Sequence, residues 1–212
     1  MLKNLLITAL LFSTSIAFAQ KDFEKSLDSI QTLDDVTIFF KKNKTVKGKV
    51  IVFNEEKHKT RMAEDILNMS LGSKKYFRDA PQKTFYKVIE KNEIPYYRVS
   101  CVYLDSGKKS IKDINIIRNQ IIAKYQEGYR FTDLAKQFSM DNTAKQGGDL
   151  GWFTNGDLHP QFEIPVIEGN HSKGDIFTID IPDINSYYVV LITENKRLIK
   201  ESKVLKVTEP RK

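Results

Sequence analysis

The 212-residue chain carries one cysteine, Cys101, which excludes an intramolecular disulfide. A chain exported to an oxidising compartment without a disulfide must hold its fold by its core alone. Histidine is nearly as scarce: His58, His159 and His171 are the only three. No Cys/His spacing of the zinc-binding kind occurs, so neither a metal nor another cofactor is expected. Beyond the first twenty residues no apolar run approaches the ~20 residues that a membrane-spanning helix needs. The basic residues are scattered rather than concentrated, which argues against nucleic acid. Internal repeats and low-complexity segments are also lacking. What is present, 41% hydrophobic and 29% charged residues, belongs to the globular class.

The first nineteen residues stand apart. Lys3 supplies a positive start, Leu5 to Phe18 is mostly apolar, and Ala17-Phe18-Ala19 reads as a small-residue cleavage site. The expectation is a signal peptide over 1–19, with an uncleaved N-terminal anchor as the alternative, and a mature chain from Gln20 that is not inserted in a membrane and works in the periplasm or at another extracytoplasmic surface. Loss of Lys3 takes the formal charge from +7 to +6. That surplus fits an ordinary solvated surface or a weak preference for acidic or membrane-surface partners.

Spacings of three and four place Phe23, Leu27, Ile30, Leu33, Val36, Phe39 and Phe40 on amphipathic helix, in one or two pieces. Lys47–Phe53 and Phe85–Ile89 read as strands. Glu55–Met69 between them reads as helix, and Ser70–Gln82 as a loop. Glu93-Ile94-Pro95 marks a boundary, because the residue before proline is disfavoured in helix. A strand over Tyr97–Leu104 follows. A long helix then opens at a Ser110/Asp113 capping pair and stops near Gly128. Its apolar stripe comprises Ile111, Ile114, Ile117, Ile121, Ile122 and Tyr125. A helix over Thr132–Ser139, a short turn over Asp141–Lys145 and a helix from Pro160 come next. Strands over Asp175–Ile181 and Tyr187–Glu194 close the segment, and 198–212 reads as a basic tail.

The densest motif is Phe131–Gly156, FTDLAKQFSMDNTAKQGGDLGWFTNG. Gly147, Gly148 and Gly151 crowd one stretch, as a backbone needing positive φ or close approach requires. Asp149 between them is suited to hold nearby backbone N–H groups. Trp152 and Phe153 add large apolar area, as core or, for Phe153, as a groove wall. This region, with His159-Pro160-Gln161-Phe162-Glu163 and Gly174-Asp175-Ile176, resembles parvulin-type peptidyl-prolyl cis-trans isomerases of the exported bacterial type. The resemblance covers about a hundred residues in the expected order, and the seven-residue GGDLGWF is its most specific part.

The resemblance implies an α+β fold. A small four-stranded, antiparallel-rich sheet flanked by four helices would occupy 95–197, with a smaller N-terminal α/β lobe over 20–94. It also implies an apolar cup for a proline ring, matched here by Leu158 and Phe162 with Phe153 nearby; ordinary core packing is the alternative for each. Family members face two histidines across the sheet. The aligned positions here hold Cys101 and Tyr188, so the pair is not carried over, and these two are either a weak donor–acceptor pair or buried strand residues. Asp141 matches a position that is Cys or Asp in the family. It would set the electrostatics at the substrate carbonyl, cap the short helix after it, or do both. Ser139 and Asn142 are second-tier candidates.

Two readings of function follow from the resemblance. One is an isomerase that assists folding of exported proteins by twisting the X–Pro amide without covalent chemistry. The other is a catalytically weak or inactive chaperone or peptide-binding module of the cell envelope. Both take proline-containing unfolded or partly folded exported polypeptides as partners. A third reading, an envelope-interaction protein working through 21–94, needs a large apolar groove there.

Overall fold

The computed structural model of the chain describes residues 23–79 and 82–209. The expected signal peptide lies outside the described residues. By their own contacts the described residues divide into two compact units, one made of those up to Glu93 with 199–209 and the other of 94–198.

In the first unit a helical segment over 23–28 precedes α1 (Leu33–Lys42). Thr32 and Asp35 form a reciprocal capping box that starts α1, and Lys41 and Lys42 end it with charge that suits the negative end of its dipole. Strand β1 (Lys47–Asn54), helix α2 (Arg61–Leu67) and strand β2 (Lys74–Asp79) follow. The helix expected over 55–69 is thus much shorter. The Asn54 side chain accepts from the Glu56 and Lys57 amides, tying 54–57 into a turn, and Thr60 then caps α2. The expected loop over 70–82 holds β2, an edge strand whose lysines conceal it.

Strand β3 runs over Gln82–Asp105 and continues without interruption through Glu93-Ile94-Pro95, where the two units divide. A residue before proline is excluded from helix but not from extended backbone, so the signal there was compatible with strand. The expected basic tail is part of β6 (Ser186–Thr208), whose register with β1 runs from Lys47↔Thr208 to Asn54↔Glu201. Ile199, Val204, Leu205 and Val207 are buried, and their burial on both faces breaks the alternation by which a strand is recognised. Lys203 pairs with Glu90 at 2.8 Å, and the Lys206 ammonium lies over the Tyr86 ring. In this unit the strand order is β1–β6–β3–β2. One cluster (Leu27, Ile30, Val36, Phe39, Phe85, Leu205, Val207) and another (Phe53, Ile66, Tyr86, Val88, Val204) form its core.

The second unit has the expected α+β architecture. After β3 come α3 (Ile111–Gln126), α4 (Phe131–Phe138), a 3₁₀ turn (Asn142–Gln146), β4 (Asp149–Phe153), α5 (Pro160–Glu168), β5 (Ile176–Ile181) and β6. Its strand order is β4–β3–β6–β5, with β3–β4 and β5–β6 antiparallel. Ser110 caps α3 through the Asp113 amide and donates to the Asp113 carboxylate at 2.6 Å. Ile114 and Ile121 form the buried stripe of α3, whereas Ile111 is half exposed and Arg118 is buried instead, paired with Asp180. Period-two alternation along β3 sorts its side chains between two cores. Val99 and Cys101 enter the cluster that contains α5, and Val102 and Leu104 enter the cluster that contains α3 and α4.

Deleting 199–212 removes three fully buried side chains from the first unit's cores. The truncated chain should therefore lose cooperative unfolding of residues 23–93, read by proteolysis and amide exchange. Retention of protection there would mean that this segment is dispensable.

Candidate active site

The glycine pair after the 3₁₀ turn positions this site. Gly147, Gly148 and Gly151 all have positive φ, at 73°, 79° and 73°. At Gly148 the requirement is also steric: a Cβ would lie 2.2 Å from the Cys101 carbonyl oxygen. The Cys101 amide donates to the Gly148 carbonyl at 2.9 Å. Bare backbone therefore lies against β3 beside Cys101, and the chain continues into β4.

Asp149 starts β4 and is bound twice. The Arg98 guanidinium grips its carboxylate in a fork, Nε to Oδ1 at 3.2 Å and Nη2 to Oδ2 at 2.5 Å, and the Gly151 amide donates to Oδ1 at 2.9 Å. The Arg98 hydrogen bonds are the chief reason that this carboxyl sits below its ordinary range. Three residues after Asp149, Trp152 is half-buried under the Arg197 guanidinium, 4.3 Å from its ring centre, and lies in neither core.

The structure brings the six candidate residues into one unit. Cys101 of β3, Phe153 of β4 and Phe162 of α5 are buried in one cluster, and Leu158 and Tyr188 pack against it. The Tyr188 ring meets Phe162 edge-on at 5.1 Å and leans on Tyr103 at 5.5 Å. Phe153 is 3% exposed and Phe162 4%, so Leu158 and Tyr188 supply the accessible apolar surface.

Asp141 stands in the cap position of the 3₁₀ turn but makes no capping hydrogen bond, contrary to that expectation. Its carboxylate instead accepts from Ser139 Oγ at 2.7 Å and from Thr143 Oγ1 at 2.8 Å. Ser139 Oγ also accepts from the Tyr103 amide at 2.9 Å, and the Met140 amide donates to the Tyr103 carbonyl. The segment carrying Asp141 is thereby fastened to β3. Burial first, and the Asp141 charge second, push the Cys101 thiol up to about 12. Burial is also the chief cause that raises the Tyr188 phenol. Cys101 and Tyr188 therefore both keep their protons at neutral pH.

Three contributors carried no sequence assignment. Tyr103 supports both Ser139 and Tyr188, and Thr143 holds Asp141. Glu163, 2% exposed, accepts from the Leu158 amide at 2.6 Å and the Gly156 amide at 2.9 Å, which fixes the loop that presents Leu158. Its signal was a carboxylate in the first turn of a helix, next to Phe162, where an acidic side chain commonly serves the N-terminus. Among the described residues no group of three or more His, Cys, Asp and Glu could hold a metal ion, and no helix is long and apolar enough to cross a membrane.

Residues 84–196, just over half of the chain, match the family described as PPIC-type PPIASE domain. The Foldase protein PrsA 2 of Bacillus cereus is 35% identical over 101 residues, covering 44% of this chain and 34% of that protein. The Chaperone SurA of Bordetella pertussis is 53% identical over 45 residues, 21% of this chain and 9% of that protein. A solved PpiC-type peptidyl-prolyl cis-trans isomerase domain is similar with a TM-score of 0.44 and 21% identity, over 50% of this chain and 94% of that domain. The chain thus matches about a third of the foldase's length and about a tenth of the chaperone's.

Two outcomes follow from the electrostatics. A buried thiol with a pKa near 12 should react with iodoacetamide at pH 7.5 more than about a thousandfold more slowly than free cysteine; rapid native-state alkylation would contradict its burial. Asp149, held low in the folded chain, stabilises the fold above about pH 4, the unfolded carboxylate value. That stability is lost as pH falls through the folded value. The Tm of the chain should therefore drop more steeply between pH 4 and pH 2 than that of Asp149→Asn.

Proposed function

The chain belongs to the PPIC-type PPIase domain family, and from this we propose that it is a peptidyl-prolyl cis-trans isomerase assisting the folding of exported proteins. The observation that carries the reading is one cluster in which Leu158, Phe162 and Phe153 adjoin Cys101 and Tyr188, with the Asp141 charge acting on both. Export to the periplasm rests on the N-terminal sequence pattern.

The X–Pro amide resists rotation by about 18–20 kcal/mol because resonance moves the nitrogen lone pair toward the carbonyl oxygen. Twisting the bond withdraws that charge from the oxygen. A catalyst needs only to favour the twisted form over both planar ones, and ~4 kcal/mol of preference gives about a thousandfold. In the proposed complex the proline ring sits on Leu158 against the edge of the Phe162–Tyr188 pair. The substrate carbonyl lies toward Asp141, whose negative charge opposes charge build-up on oxygen and so disfavours the planar amide. Cys101 and Tyr188 stay protonated and are available to donate weak hydrogen bonds. Cys101 takes no nucleophilic part, since its thiol is neutral and buried.

A second reading, a folding helper that binds proline-containing segments with little catalysis, is favoured by the near-complete burial of Phe153 and Phe162, which leaves a shallow apolar surface. Exchange NMR on Ala-Xaa-Pro-Phe peptides separates the two. The isomerase reading expects faster cis–trans exchange with the mature chain. Leu158→Ala combined with Phe162→Ala should abolish it, and Asp141→Asn should reduce it about tenfold. Line broadening from binding without faster exchange would select the helper.

A further inference from the structure

Lysine recurs along the whole chain, but the charge it leaves unbalanced is local. The second unit, 94–198, holds 12 Lys and Arg against 13 Asp and Glu. The described residues of the first unit hold 18 against 13. Residues 36–54 carry five of those lysines, Lys41, Lys42, Lys44, Lys47 and Lys49, and no acid, so the rest of that unit is balanced. All five are exposed, and none of their side chains makes an ion pair or hydrogen bond among the described residues.

The fold gathers them at one corner of the first unit. The Asn43 backbone and side-chain amides both donate to the Phe39 carbonyl at 2.9 Å, which ends α1. The Val46 amide then donates to the Asn43 carbonyl at 3.0 Å and turns the chain into β1. A Cβ at Gly48 would come within 2.9 Å of Phe40 Cζ, so the end of α1 packs on β1 between Lys47 and Lys49. Lys49 stands opposite Lys206 in the ladder, and like charges directly opposite destabilise a sheet unless an anion offsets them. Apolar side chains are exposed beside these cations. Ile38 shares a helix face with Lys41 and Lys42, and Val50 and Val52 follow Lys49 along the edge strand. Of the nearest acids, Asp35 is held in the cap of α1 and Glu55 accepts from the Lys200 amide; Glu209 follows Thr208, the ladder partner of Lys47.

From these features we infer that this corner is a docking surface for the anionic phospholipid headgroups of a bilayer. Unpaired cations interspersed with exposed aliphatic side chains supply headgroup attraction together with shallow apolar contact, the pair of signals that holds a peripheral protein. The cations are all lysines, which meet a phosphate as point charges, whereas carboxylate partners at protein interfaces favour the planar fork of arginine. No exposed aromatic ring lies in 36–54 on which nucleic-acid bases could stack. The inference concerns the first unit and does not depend on the isomerase reading.

The test is co-sedimentation of the full mature chain with vesicles of phosphatidylcholine alone and with about a quarter phosphatidylglycerol. Binding to the anionic vesicles should be at least about tenfold tighter, and about 0.5 M salt should abolish it. Lys44→Gln combined with Lys47→Gln and Lys49→Gln should weaken it about tenfold or more, since each basic residue near an anionic surface contributes about fivefold. Lys108→Gln with Lys109→Gln and Lys112→Gln removes the same charge from exposed positions of the second unit and should leave binding within about twofold. Equal binding to both vesicles, equal loss in the two triple variants, or no sedimentation with either vesicle would each overturn the inference. Binding of poly-glutamate at these lysines without vesicle binding would assign the surface to an acidic polypeptide and likewise overturn it. Prolyl exchange is read at no step, so failure of the isomerase reading and failure of this one are distinguishable.

Discussion

The approach of Gly148 to the Cys101 carbonyl is the contact on which the candidate site depends. Any side chain at 148 would collide with β3, so the strand-to-strand distance there is set by backbone alone. The same contact places the segment before it, with Ser139, Asp141 and Thr143, alongside Tyr103. The segment after it enters β4 and delivers Phe153 to the cluster around Cys101. The Arg98–Asp149 fork and the Gly151 amide hold the emerging strand, and Glu163 holds the next loop.

Within that frame the chemistry is one of desolvation. The thiol and the phenol are surrounded by apolar side chains and face a carboxylate, and both conditions keep their protons on. Asp141 itself is held by two hydroxyl donors rather than by a cation, so its charge is not cancelled by an ion pair. A thiol so raised is poorly suited to nucleophilic attack.

Apolar area is distributed unevenly around this polar centre. Phe153 and Phe162 are buried within the fold, and their neighbours Leu158 and Tyr188 carry the more accessible apolar surface.

The sequence by itself determined the elements whose causes are local. Ser110 and Asp113 start α3, three glycines require positive φ after the 3₁₀ turn, and the GGDLGWF motif with its flanks identifies the family. Period and capping act within a few residues, so they can be read without a fold. Tertiary structure decided what depends on partners distant in the chain. Residues 198–208 carry a lysine every third position and read as a tail until β1 pairs with them and Val204, Leu205 and Val207 are covered on both faces. Asp141 was suited to cap its own helix, yet Ser139 and Thr143 take its carboxylate instead. The burial of Phe153 and Phe162 and the role of Glu163 arise where β3, β4, α5 and β6 meet. No local pattern encodes them, because each is a property of surfaces that only folding brings together.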